Sequence, residues 1–331
     1  TRYGGPMARG AIGPLRGGEV RRAAVALPPA RMAPWRGGRP LKRWRYVGVY
    51  SPALMLCVGD ARIGPVPQRW WAVALPGGEL RERTTFGRGG LALDLPWRVP
   101  TARPTRLRAG AGGVRIELEL AEGPGVETLS PAGSAYIWTR KQACVPVRGE
   151  VEIDGARHAL DGALGFVDDS AGYHDRRTAW SWSAGIGTAA DGRPVGWNLV
   201  AGIHDDPAVS ERTVWVDGEP RPVGPVAFAS DLTAITTAGP PHPGRAESSW
   251  GSTPTNTPDD PEGGGGGAES RRAETPTPLT FHEWSRREHS TDAGLIASSY
   301  VQPFGEFSGT LPGGVDLAAG HGVMERHDVR W

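Results

Sequence analysis

DDSAGYHDRRTAWSWSAGIG (residues 168–187), followed by DGRPVGWNLVAGIHDD (residues 191–206), alternates with a period of two rather than three or four. Val195, Trp197, Leu199, Ala201 and Ile203 fall on one side of an extended chain, and Trp180 and Trp182 share a side of the segment before it, which is the spacing of β-strands. Asp191-Gly192 and Asp217-Gly218 are dipeptides that close tight hairpins. Residues 178–228 are therefore expected to form a meander of about four strands.

The same rhythm continues on both sides. Val114, Ile116, Leu118 and Leu120 alternate with Arg115, Glu117 and Glu119, a half-buried strand. Val145, Val147, Val151 and Ile153 repeat the pattern and stop at Asp154-Gly155, while Pro312-Gly313-Gly314 turns a last hairpin. Forty-nine glycines and 31 prolines suit bends and bulges and leave no helical pattern longer than two turns. Many short strands without alternating helices predict an all-β chain of two antiparallel β-barrel or sandwich domains with few short helices. The expected organisation is an Arg/Pro/Gly-rich N-terminal arm over 1–36, draped on the body, an N-terminal β domain over 37–160 and a C-terminal β domain over 161–331. Residues 239–278 are low in complexity and are expected to be a disordered surface insertion. Lengthening a short connection to that size costs only about 2 kcal/mol, at ~0.6 per doubling.

Composition excludes several classes. With 37 basic and 36 acidic residues the chain is formally +1, so no global field draws it to nucleic acid or an anionic membrane. No run approaches the ~18 apolar residues of a membrane helix. Arg21-Arg22 precedes only the short AAVALPP, which ends in prolines and is too brief for a twin-arginine export signal. The chain begins at Thr1, so an upstream piece is expected. Cys57 and Cys144 sit inside apolar strand-like runs, without disulfide or metal spacing; as small core residues they point to a reducing, cytoplasmic setting. Lysine occurs only at Lys42 and Lys141. The preference for arginine fits planar, bidentate anion recognition, but a general bias that also enriches Ala, Gly and Pro is the simpler reading. Phosphate-cradling and nucleophile-elbow motifs are missing. His204-Asp205-Asp206, and His321 with His327, hold ligand types at spacings unlike a metal site. No metal and no cofactor are expected, and the sequence sets no oligomeric state.

Several stretches carry a resemblance: 37–73 (GGRPLKRWRYVGVYSPALMLCVGDARIGPVPQRWWAV), 134–155 (SAYIWTRKQACVPVRGEVEIDG), 168–187 continuing through 191–206 and 210–220 (SERTVWVDGEP), 302–314 (QPFGEFSGTLPGG) and 320–331 (GHGVMERHDVRW). In that order they resemble the domain-of-unknown-function 2804 family, from which the 239–278 insertion departs in length. The resemblance implies, at the level of fold only, two lipocalin-like (calycin-like) domains of the kind found in carotenoid hydratases and pericyclase-type cyclases. It implies no activity.

Several side chains are placed to carry chemistry. Trp180, Trp182 and Trp197, the last on the neighbouring strand, are predicted to line one surface for a flat or apolar ligand; filling a barrel core is the competing role. Asp168-Asp169, Tyr173 and His174 precede that strand at its rim, where a carboxylate beside apolar groups is raised in pKa and can protonate an alkene or epoxide. Turn capping and loop anchoring are the plainer roles. Asn198 faces away from Trp197, as a buried polar partner or toward solvent. Glu211 and Arg212 form a rim ion pair or place a carboxylate at a cavity mouth. Glu283 shares a face with Leu279 and Phe281 and is expected to point inward against Arg176 or Arg177. Tyr300 and Gln302 lie in the next run, and Glu325 and His327 share a face as an acid–base pair or a closing salt bridge.

Together these predict a small lipophilic molecule in a Trp-lined cavity. Asp168, His174 or Glu325 would be the proton donor for cofactor-free hydration, isomerisation or cyclisation. Contacts would come from Tyr173, Trp180, Trp182, Trp197, Asn198, Glu211, Glu283, Gln302 and His327. Non-catalytic lipid or glycan binding competes with this, as does an interaction protein whose 239–278 loop recruits partners.

Overall fold

The period-two segments pair into two large antiparallel sheets. The computed structural model describes residues 13–87, 92–96, 103–206, 209–237, 278–292 and 297–330. The first twelve residues of the arm, and all of the 239–278 insertion but Pro278, lie outside the described residues. Among those described, the one helical segment is a six-residue 3₁₀ turn at Gly17–Arg22, and no helix is long and apolar enough to cross a membrane.

The N-terminal sheet runs, in spatial order, Leu80–Phe86, Val66–Ala74, Met55–Ile63, Lys42–Tyr50, Leu164–Gly172, Ala135–Ile153, Val114–Leu120, Thr105–Ala111 and Ala92–Asp94. Its longest strand, the 19-residue Ala135–Ile153, changes neighbour along its length: its first half pairs with Val126–Ala132 and its second with Val114–Leu120, while Leu164–Gly172 and Ala156–Ala159 pair along its other edge. A bulge between Gln142 and Val145, where Cys144 adopts φ 55°, separates the halves. An extra residue there bends the strand and tightens its twist, which curls the sheet. The concave side is filled by Val47, Val58, Leu118, Val147 and Val167 from opposite limbs of the curl.

The C-terminal sheet runs Glu219–Pro222, Thr213–Val216, Pro194–Ala201, Arg177–Ala189, Val315–Arg330, Ala297–Leu311, Leu279–Asp292, Ala234–Thr237 and Val226–Phe228. The first four are the expected meander in reverse order. Its own concave core holds Val195, Trp197, Val214, Phe281 and Phe307. The chain changes sheet between Gly172 and Arg177, later than the 160/161 division expected from sequence, because Leu164–Gly172 pairs with Lys42–Tyr50 and Ala135–Ile153.

The two sheets meet back to back. Tyr46, Met55, Cys57 and Phe166 from one pack against Trp182, Ala184, Trp215, Phe304 and Val323 from the other. Phe166 lies 5.9 Å from Trp182 and 6.4 Å from Trp215, centroid to centroid, in tilted and edge-to-face contacts. The arm is fastened to this body. Leu15–Arg16 pairs with Thr128 and Leu129, and Val20, Leu27 and Met32 bury against Tyr136, Trp138 and Tyr173. Arg16 crosses to the second sheet, donating to the Ser210 carbonyl and, at 2.7 Å, to Thr213 Oγ1.

Candidate functional site: a cavity between the sheets

Toward one end the apolar contact between the sheets opens into a cavity of about 510 Å³, within the ~300–1,000 Å³ of small-molecule sites. Trp44, Tyr46, Trp70, Lys141 and Asp168 come from the N-terminal sheet; Trp180, Trp182, Tyr300, Glu325 and His327 come from the other. Indoles are held flat by missing side chains. A Cβ at Gly59, directly across the strand pair from Trp70, would lie 2.1 Å from that ring, so only glycine permits it to lie over the backbone.

The carboxyl of Glu325 is the best-positioned acid. It accepts from Trp180 Nε1 at 2.8 Å and from Gln302 Nε2 at 3.0 Å. Burial lifts it to about 7; the Trp180 bond opposes that rise and the negative charge of Asp168 adds to it. The Gln302 amide is oriented in turn by Arg287, whose Nη1 lies 3.5 Å from Gln302 Oε1 and whose Nε donates at 2.7 Å to Glu82 on the first sheet. Tyr300, half-buried beside Glu325, has its phenol raised well above 10 by desolvation and stays a neutral donor.

Facing it, one cation serves two carboxylates. Lys141 Nζ lies 2.6 Å from Asp168 Oδ1 and 3.4 Å from Glu211 Oε1, with all three side chains nearly inaccessible. Burial, reinforced by Glu211, outweighs Lys141 and lifts Asp168 to about 6. For Glu211 burial acts in the same direction, but Lys141, His204 and a bond from Thr139 outweigh it and hold the carboxyl below its ordinary value. Two buried carboxyls sharing one lysine are thus driven apart, one inclined to hold a proton and one to stay ionised.

The structure brings Asp168, Trp180, Trp182, Glu211, Glu325 and His327 together at this cavity. Gln302 stands just behind it, and Asn198, fully buried, accepts from Trp182 Nε1 at 2.8 Å and donates to the Glu211 carbonyl at 3.0 Å. His327 is not an acid–base partner of Glu325: its ring packs 4.5 Å from Trp180, its Nε2 lies 2.9 Å from Ser298 Oγ, and burial lowers it to about 4.

Four expectations are corrected. Trp197 does not join the indole wall. It pairs with Gly185 while Trp182 pairs with Val200, so strand alternation sends the two indoles to opposite faces. Trp197 lies in the C-terminal core, over Gly185 and 5.0 Å from Phe307. Tyr173 faces the arm, donating to the Ala33 carbonyl at 2.7 Å. Glu283 keeps the register of Leu279 and Phe281, opposite Gly305, but lies partly exposed beyond their apolar cluster, in an ion pair with Arg286 at 2.6 Å; the bulge before Ser285 follows it. Arg177 faces Asp328 instead. His174 is buried behind Trp44, 4.9 Å away, outside the cavity lining, and burial with His204 and Lys42 nearby holds it far below 6.5. It is neutral at pH 7 and carries no imidazolium proton to donate.

Lys141, Arg287 and Tyr46 escaped the sequence reading as site residues. For Lys141 a signal existed: both lysines of the chain, Lys42 and Lys141, are buried, at 1% and 3% exposure, although solubilising surface lysines are the usual kind. Among the described residues no three His, Cys, Asp or Glu side chains cluster as a metal site.

A family profile described as a domain of unknown function, DUF2804, matches residues 71–239, just over half of the chain. No curated protein matches it. Among solved structures, an AttH-type protein of Nitrosomonas europaea is similar at 13% identity and TM-score 0.44, covering 92% of this chain and 98% of its own. Kievitone hydratase of Nectria haematococca is similar at 8% identity and TM-score 0.43, covering 88% of each chain. CghA is similar at 14% identity and TM-score 0.37, covering 93% of this chain and 95% of its own. At these scores the likeness carries no inference about activity.

Proposed function

Since the chain belongs to the DUF2804 family, which brings no activity with it, we propose from the cavity alone that the protein binds a small lipophilic molecule between its sheets and performs acid–base chemistry on it. The observation that carries this reading is the Glu325 carboxyl, raised to about 7 in an apolar, indole-lined cavity opposite a lysine bridging two carboxyls. Near neutral pH Glu325 is partly protonated and can donate to an alkene, epoxide or carbonyl oxygen of the ligand. Glu211, kept ionised, is the base that activates water or removes a proton from the opposite side. Lys141 stabilises the anionic partner, and Trp180 and Gln302 hold the acid in place through the transfer.

The test has two arms. Nile red, a neutral lipophilic probe, is titrated against the wild type and against Ile203→Trp, which fills the cavity; saturable fluorescence in the first and its loss in the second support binding there. Small molecules co-purifying with the protein are then incubated with wild type and Glu325→Gln and followed by mass spectrometry. Loss of about 10²–10⁴ in turnover is expected for a missing general acid. Equal turnover by both proteins refutes the acid role, and retained ligand with no turnover by either leaves the protein a binder.

A further inference from the structure

The concave side of the N-terminal sheet holds a second, larger cavity of about 1640 Å³, closed over by the arm. Its floor is a buried charge network. Arg45 Nη1 donates to Asp169 Oδ1 at 2.8 Å, Arg140 Nε donates to Asp169 Oδ2 at 2.8 Å, and both arginines also bond Glu122. Two donors of that floor, Arg45 Nε and Arg140 Nη1, have no hydrogen-bond acceptor among the described residues although both side chains are at least nine-tenths buried. Buried donors without acceptors are costly and point to a missing partner.

Above the floor the positive charge accumulates. Beyond the floor residues, Arg21, Arg31, Arg43 and Arg62 line the space with one carboxylate, Glu127. Arg43 and Arg62 stand directly opposite one another on paired strands, an arrangement that like charges disfavour. Asp60, whose charge acts on both, lies 3.9 Å from Arg69. Burial and the charge of Arg62 depress Arg43, with Asp60 offsetting part of the fall. The rest of the lining is apolar and flat: Trp138 from the sheet, Met32 from the arm, and Trp35, left 60% exposed at the lip.

We propose that this cup binds an organic anion, its carboxylate or phosphate clamped by Arg43 and Arg62 above the Arg45–Arg140 floor and its planar apolar body laid between Trp138 and the arm. Guanidinium forks match both anions bidentately and stack on aromatic faces, which a lysine-built site would not do. The cup lies on the opposite face of the strands that wall the inter-sheet cavity, so it does not depend on the reading given for that cavity.

The experiment is isothermal titration of the full chain with naphthoate, naphthyl phosphate and inorganic phosphate, with neutral naphthol as the uncharged counterpart. At least one naphthyl anion is expected to bind one site per chain, at least about tenfold tighter than naphthol, and to weaken as salt rises. Arg62→Glu, a change at an exposed residue, is expected to lower that affinity at least about tenfold with an unchanged thermal melt, and Arg43→Gln/Arg62→Gln to lower it at least as far. Tighter binding of naphthoate than naphthyl phosphate assigns a carboxylate ligand, and the reverse a phosphate. Absence of saturable binding by both naphthyl anions, equal affinity for naphthol, or wild-type affinity in Arg62→Glu overturns the proposal.

Discussion

Asp168 and Asp169 are consecutive on one strand, buried to 7% and 3% exposure, and they occupy opposite faces of it. On the Asp169 side two arginines meet two carboxylates, so charge is balanced in place by hydrogen-bonded forks. On the Asp168 side a single lysine meets two carboxylates. A buried network with equal charges is an internal fixture whose members gain nothing by titrating. One with a deficit of cations keeps a carboxyl near neutrality, which makes Asp168 at about 6, and Glu325 across from it at about 7, the groups able to trade protons in the physiological range.

Four substitutions probe that contrast. Arg45→Met strips the balanced network of one cation and is expected to cost about 3–5 kcal/mol at pH 7 in urea unfolding, the usual penalty for breaking a buried ion pair. Lys141→Met removes the only cation of the other cluster. A loss of about 3 kcal/mol is expected at pH 8, shrinking as pH falls toward 5, because Asp168 and Glu211 then bind protons in the folded state that the unfolded chain does not hold. A pH-independent loss in melting experiments would mean that these carboxyls are compensated from elsewhere.

Glu325→Gln should act in the opposite sense on stability. A carboxyl whose folded value is raised to about 7 contributes stability below its unfolded value near 4.5, and this is lost as pH rises through 7. Replacement by a neutral amide is therefore expected to stabilise the protein by about 1–2 kcal/mol at pH 8 and to change little at pH 4. Equal shifts at both pH values would contradict the raised pKa. The smallest change belongs to Trp180→Phe, which removes one donor from Glu325. At pH 8 about 1 kcal/mol is expected, less at pH 5 where the acid is neutral, together with a further upward shift of Glu325 in carboxyl-labelled NMR.

Period-two runs such as Val114–Leu120 identified their strands because each has one apolar face, and the turn dipeptides located the hairpins. Shared faces were legible where alternation is unbroken: Trp180 with Trp182, and Glu325 with His327, which the register then sets opposite one another on the same side of the sheet. Reading failed where neighbours come from other strands. Glu283 keeps the face of Phe281 but lies past the end of its apolar cluster, and cross-strand register, which no single strand encodes, decided that Trp197 opposes Gly185 rather than joining Trp182. Tyr173 was misplaced because the arm that covers it comes from distant sequence. Lys141 was passed over because it lies in a strand whose both sides are buried, leaving no polar–apolar contrast to mark it.

Leu164–Gly172 is a partition with a furnished room on each side. Nearly every residue along it is enclosed, and odd and even positions answer to different tenants. Inserting one residue ahead of Asp168 would carry it into the place of Asp169 among the arginines and push Asp169 to the place of Ser170, on the other face and opposite Thr139. Such a wall tolerates exchange of letters at a position far better than any change of count, and a length variant in this strand would empty both rooms at once.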